Sequence, residues 1–61
     1  MALPKDPFML LSYINTQLRD NFSSLSELAL SLGEDEDAIK EAIGAAGFVY
    51  NDNLNRFVTK E

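Results

Sequence analysis

The sequence predicts an α+β domain that is mainly α, three helices followed by a C-terminal β-hairpin. Three observations predict it. Apolar residues recur at three- and four-residue spacing through most of residues 7–46. Capping residues punctuate that stretch at three helix starts. Beyond it lie two short β-compatible runs around an Asn-rich turn.

The first helix is expected over residues 7–20. Asp6 is a natural N-cap, and Pro7 has its φ already set for the first helical position. Leu10, Leu11, Ile14 and Leu18 form one apolar stripe, and Arg19 suits the negative end of the helix dipole. Phe22-Ser23 reads as a short extended link. Ser24-Leu25-Ser26-Glu27 then fits a capping box, with Ser24 and Glu27 each satisfying the other's backbone donor. Leu25, Leu28, Ala29 and Leu32 give the second helix, residues 25–32, its buried face, and Gly33 supplies a left-handed stop.

The third helix is expected over residues 36–46. Asp35 is its N-cap, and the acidic start Glu34-Asp35-Glu36-Asp37 complements the helix dipole. Ile39, Ala42, Ile43 and Ala46 share one face, and Gly47 closes the helix. Gly44 lies inside it at a cost of about 1 kcal/mol relative to Ala, which a close backbone contact would explain. Phe48-Val49-Tyr50 and Arg56-Phe57-Val58 form the hairpin, about residues 48–58, around Asn51-Asp52-Asn53-Leu54-Asn55. A two-stranded hairpin is not stable alone, so its apolar side must lie against the helices. The expected core is Leu10, Leu11, Ile14, Leu18, Phe22, Leu25, Leu28, Ala29, Leu32, Ile39, Ile43, Phe48 and Phe57.

Sixty-one residues make one domain, 1–61, with a small core. The chain has no Cys and no His, which removes disulfides, thiolate zinc sites and histidine chemistry. Ten acidic against five basic residues give a formal net charge of −5, which repels phosphate backbones and anionic membranes. No apolar run is long enough to span a bilayer. The opening MALPKDPFMLLSYIN lacks a small-residue cleavage site and carries core positions, so a signal peptide is not expected. A cytoplasmic protein is expected, and the Asn21-Phe22-Ser23 sequon then carries no glycan.

The run Leu25-Ser26-Glu27-Leu28-Ala29-Leu30-Ser31-Leu32-Gly33, followed by Ile39 and Ile43, resembles a helix-turn-helix unit. Ala29 fits the small residue at the helix crossing and Gly33 the turn. With a helix before it and a hairpin after it, the whole resembles a winged-helix arrangement. That motif usually places an aliphatic residue after the turn glycine, where this chain has Glu34. A second resemblance is more specific. Leu3-Pro4-Lys5-Asp6-Pro7, Met9-Leu10-Leu11-Ser12, Asn15-Thr16, Leu18-Arg19-Asp20, Tyr50 and Leu54-Asn55-Arg56-Phe57-Val58 resemble a family of short bacterial proteins of unknown function. It implies a bacterial, cytoplasmic, single-domain protein and no activity to inherit.

The functional expectation is binding, with a protein as partner, a second copy of the chain included. Leu30 points away from the buried face of its helix, Met9 and Tyr13 lie one turn apart on the flank of the first stripe, and Leu54 sits in the hairpin tip. These four form the candidate interaction surface. Met9 and Tyr13 would alternatively be covered by the hairpin, whose open edge could also pair with another chain. No catalytic, cofactor-binding or metal residue is expected, and no enzyme. Asn51, Asn53 and Asn55 have the first spacing of a calcium loop, but Arg56 replaces its turn glycine. The competing expectation is a divergent winged-helix DNA-binding module. Against it stand Glu34, Asp35, Glu36, Asp37 and Glu41 on the would-be recognition helix, with Lys40 alone opposing them. Lys5, Arg19, Lys40, Arg56 and Lys60 gathered on one face would favour it, whereas scattering would weigh against it.

Overall fold

The computed structural model describes residues 3–60, so the first two residues and the last of the expected 1–61 domain lie outside the described residues. Helices α1 (Pro7–Asp20), α2 (Leu25–Leu32) and α3 (Glu36–Gly44) are followed by strands β1 (Phe48–Asn51) and β2 (Arg56–Thr59). The two strands pair antiparallel, with Phe48 opposite Thr59 and Tyr50 opposite Phe57. The architecture is α+β and mainly helical. Helix α1 touches α2, α3 and β2, and α3 packs on β1.

Local chemistry sets the helix starts. The Asp6 carboxylate accepts the Met9 N–H at 2.9 Å, the Ser24 hydroxyl accepts the Glu27 N–H at 3.2 Å, and Asp35 accepts the Asp37 N–H at 3.0 Å. Each satisfies a donor that the first helical turn leaves without an intrahelical partner. The expected capping box forms by half. The Glu27 carboxylate turns to Ser23, accepting its N–H and its hydroxyl, instead of returning to Ser24. Ser23 offers two donors where Ser24 would offer one.

At the far end of α2, Gly33 adopts φ +70°, and its N–H reaches the Leu30 carbonyl while the Glu34 N–H reaches that of Ala29. That double bond pattern is a Schellman stop. Glu34 is exposed there, so the turn closes without an aliphatic plug at that position. Helix α3 stops at Gly44, two residues short of the expected end. The N–H groups of Ala46 and Gly47 bond three residues back, to Ile43 and Gly44, which tightens the last turn, and Gly47 at φ +91° redirects the chain into β1. Ala46 is consequently half-buried, and Ala42, within the helix, faces solvent and not the core. Strand β2 runs one residue past the expected end, to Thr59.

The buried core is Leu10, Ile14 and Leu18 from α1, Leu25, Leu28 and Ala29 from α2, Ile39 and Ile43 from α3, and Phe57 from β2. Leu11, Phe22, Leu32 and Phe48, expected inside, pack against it half-buried. A domain this small has more rim than centre. On the inner face of the hairpin the rings of Tyr50 and Phe57 lie 5.5 Å apart.

Two asparagines fasten the hairpin to the helices. Asn15, on α1, accepts the Phe57 N–H at 2.8 Å and donates to the Phe57 carbonyl at 3.2 Å. Its amide thereby behaves as one residue of a third strand and occupies the outer edge of β2. Asn55, in the turn at φ +54°, donates to the carbonyls of Leu18 and Phe22 at 3.1 and 2.9 Å. Its own carbonyl accepts the Tyr50 hydroxyl at 2.7 Å, and that hydroxyl in turn accepts the Leu25 N–H at 3.2 Å. Leu18 lies in the last turn of α1 and Leu25 opens α2, so the hairpin satisfies one orphan group at each helix end.

Candidate interaction surface

The four residues expected at the surface do not form one patch. Leu30 is 84% exposed on the outer side of α2, and Met9 is 63% exposed near the start of α1. Tyr13, one turn from Met9, is half-buried against the core. Leu54 is exposed in the hairpin turn, which Asn55 ties to Leu18. Leu18 lies nine steps along α1 from Met9, or about 13.5 Å along the axis at 1.5 Å each.

Nor does the hairpin lie on the Met9–Tyr13 flank. It lies along the side of α1 that carries Asn15 and Phe8, and Met9 is about 120° around the helix from Asn15 at roughly 100° per residue. Phe8 meets Phe48 edge-on, with ring centroids 6.3 Å apart and planes at 89°. Phe8 nevertheless remains 61% exposed, and Val49, on the outer face of β1, is exposed as well. Sequence reasoning missed this aromatic pair. The available signal was the spacing of Phe8, Leu11 and Asn15, which puts all three on one flank of α1.

Beside this pair, a cleft of about 410 Å³ opens between α3 and the hairpin. Lys40 and Gly44 line it from the helix, and Phe48, Val49, Tyr50, Asp52, Phe57 and Lys60 from the hairpin. The close contact expected to explain Gly44 is absent, since nothing lies within 4 Å of where a Cβ would stand.

The charges are arranged unevenly. Glu36 accepts the Ser26 hydroxyl at 2.7 Å and pairs with Lys40 at 3.1 Å, and these two contacts, Ser26 foremost, hold its carboxyl below the usual glutamate range. Arg19 is bound to the neighbouring Asp20 by two contacts of 2.9 and 3.0 Å, which favour the charged form of both. Lys60 has no acidic partner among the described residues. The basic residues fall at separate places. Lys40 on α3 and Lys60 at the hairpin base both line the cleft, Arg56 opens β2 beside the turn, Arg19 lies in the last turn of α1, and Lys5 is exposed ahead of that helix. Asp37 and Glu41 lie exposed on α3. Among the described residues, no group of three or more acidic side chains is placed to hold a metal, and no helix is long and apolar enough to cross a membrane.

A family described as a domain of unknown function, DUF4250, matches residues 4–57. The chain belongs to this family. The DUF4250 match begins ahead of α1 and ends in β2, so it takes in all three helices, the whole of β1 and most of the cleft, with Lys60 beyond it. DUF4250 brings no activity with it, and neither a curated relative nor a solved structure matches the chain at a significant level.

Proposed function

We propose that the protein is a small non-catalytic interaction domain of the bacterial cytoplasm, built on a winged-helix-like scaffold, whose partner is a protein. One observation carries the reading. Phe8 keeps most of its ring in solvent while resting on Phe48, with Met9 next in sequence and exposed Val49 next along the strand. Large apolar side chains left in solvent supply the desolvation energy that protein interfaces use.

Charge argues against the nucleic-acid alternative. The helix that would enter a major groove presents Asp37 and Glu41 to solvent, and its only lysine is paired with Glu36. Each carboxylate at such a surface opposes the counterion release that drives phosphate binding.

A photo-crosslinking amino acid at positions 8, 9, 30 and 54 tests the reading in cells, with position 41 as control. Discrete protein adducts at 8 and 9, and none at 41, are expected. Absence of adducts at all four apolar positions would overturn it. In parallel, amide spectra titrated with a mixed-sequence duplex at about 50 mM salt should remain unchanged. Salt-sensitive shifts on residues 36–46 and the hairpin would make this a nucleic-acid module instead.

A further inference from the structure

We propose that the cleft between α3 and the hairpin receives a peptide segment of the partner protein, with an apolar side chain set over Gly44 and carboxylates facing Lys40 and Lys60. This rests on the protein-binding reading above and adds the chemistry of the partner.

Three independent observations lead to it. The first concerns glycine. Gly33 and Gly47 are explained by their positive φ, at +70° and +91°. Gly44, the last residue of α3, has neither a positive φ nor a crowding neighbour, so nothing within the fold calls for glycine there. What its missing side chain leaves is open cleft. The second is the lining. Phe48 and Tyr50 give the cleft aromatic walls, and its volume of about 410 Å³ has room for large side chains. It is open to solvent, exposed Val49 stands in its wall, and Phe8 rests on its lining residue Phe48, which suits a chain lying in it more than an enclosed small molecule.

The third is charge. In a chain with a net charge of −5, this cleft gathers two of the five basic residues. Lys60 has no ion-pair partner among the described residues, and Lys40 pairs with the half-buried Glu36 alone. Asp52 lies at the turn end of β1, whereas Lys60 lies at the hairpin base next to Gly47, whose carbonyl accepts its N–H. Carboxylates of the segment therefore belong at the base end and are repelled at the turn end.

The test is selection from a random dodecapeptide library against the full chain, followed by amide-shift mapping of the selected peptides. Selected sequences should carry a Leu, Ile, Met or Phe with Asp or Glu beside it, and should shift residues 40–50. Gly44→Leu, which fills the cleft, and Lys60→Glu, which disturbs no ion pair among the described residues, should each weaken binding at least tenfold. Thermal unfolding should show Gly44→Leu no less stable than the parent. No selected peptides, basic ones, or peptides that bind both variants unchanged would overturn the proposal. Peptides that shift residues around Met9 or Leu30 would overturn it while leaving the protein-binding reading intact. Absence of crosslinks at positions 8, 9, 30 and 54 as well would remove both.

Discussion

Replacing Asn55 with alanine should cost most of the stability of this domain. The side chain makes three hydrogen bonds, to the Leu18 and Phe22 carbonyls and from the Tyr50 hydroxyl, all partly buried. At about 0.5–1.5 kcal/mol net for each, their loss amounts to about 3 kcal/mol. Alanine must also hold φ +54°, which adds about 1–2 kcal/mol, whereas asparagine tolerates that region through local bonding. The sum is about 4–5 kcal/mol. A chain of 61 residues has a total stability of about 3–9 kcal/mol by per-residue scaling. Asn55→Gly loses the same bonds without the strain, so it should be milder by about 1 kcal/mol. Asn55→Asp keeps the acceptor for Tyr50 but turns a carboxylate toward two carbonyls, and should be at least as damaging as alanine at neutral pH. Urea unfolding followed by far-ultraviolet circular dichroism measures all three. An alanine variant within 1 kcal/mol of the parent, or a glycine variant less stable than the alanine one, would refute the reasoning.

Asn15→Ala should lose about 2 kcal/mol and, because it bares the N–H and carbonyl of Phe57 on the edge of β2, should self-associate in light-scattering measurements at high concentration. Glu36 supplies the acid dependence. Its folded pKa is depressed, chiefly by Ser26 and then by Lys40, so its contribution is complete above the ordinary glutamate range and is lost as the pH falls through the folded value. Glu36→Gln should therefore lower the plateau above the glutamate range and flatten the acid limb, the two stability-against-pH curves converging at low pH. An identical acid limb would refute this assignment.

The fold was legible where the determinants are local. Asp6-Pro7, Ser24, Gly33 and Asp35 announce helix boundaries because each acts on donors or carbonyls within a few residues of itself. The end of α3 was less legible, since the switch to three-residue bonding leaves the sequence pattern of Ala42–Gly47 unaltered. Asn15 and Asn55 were opaque for a different reason. Their partners lie 33 to 42 residues away, and an asparagine among other turn formers looks like any turn residue. The same division holds for the surface. Leu30 could be placed outward from the α2 stripe alone, while Phe8 acquires its meaning from Phe48, forty residues on. The cleft required the hairpin to be set against α3, which no periodicity specifies.

The asparagine and tyrosine contacts also carry an expectation about how long the native state lasts. They join residues 25 to 42 positions apart, so they form after most of the chain has closed, when the loop entropy has already been lost. Interactions absent from the folding barrier act on the unfolding rate. Asn15, Tyr50 and Asn55 are thus expected to set the lifetime of the folded molecule, and the helices with their local caps the speed of reaching it.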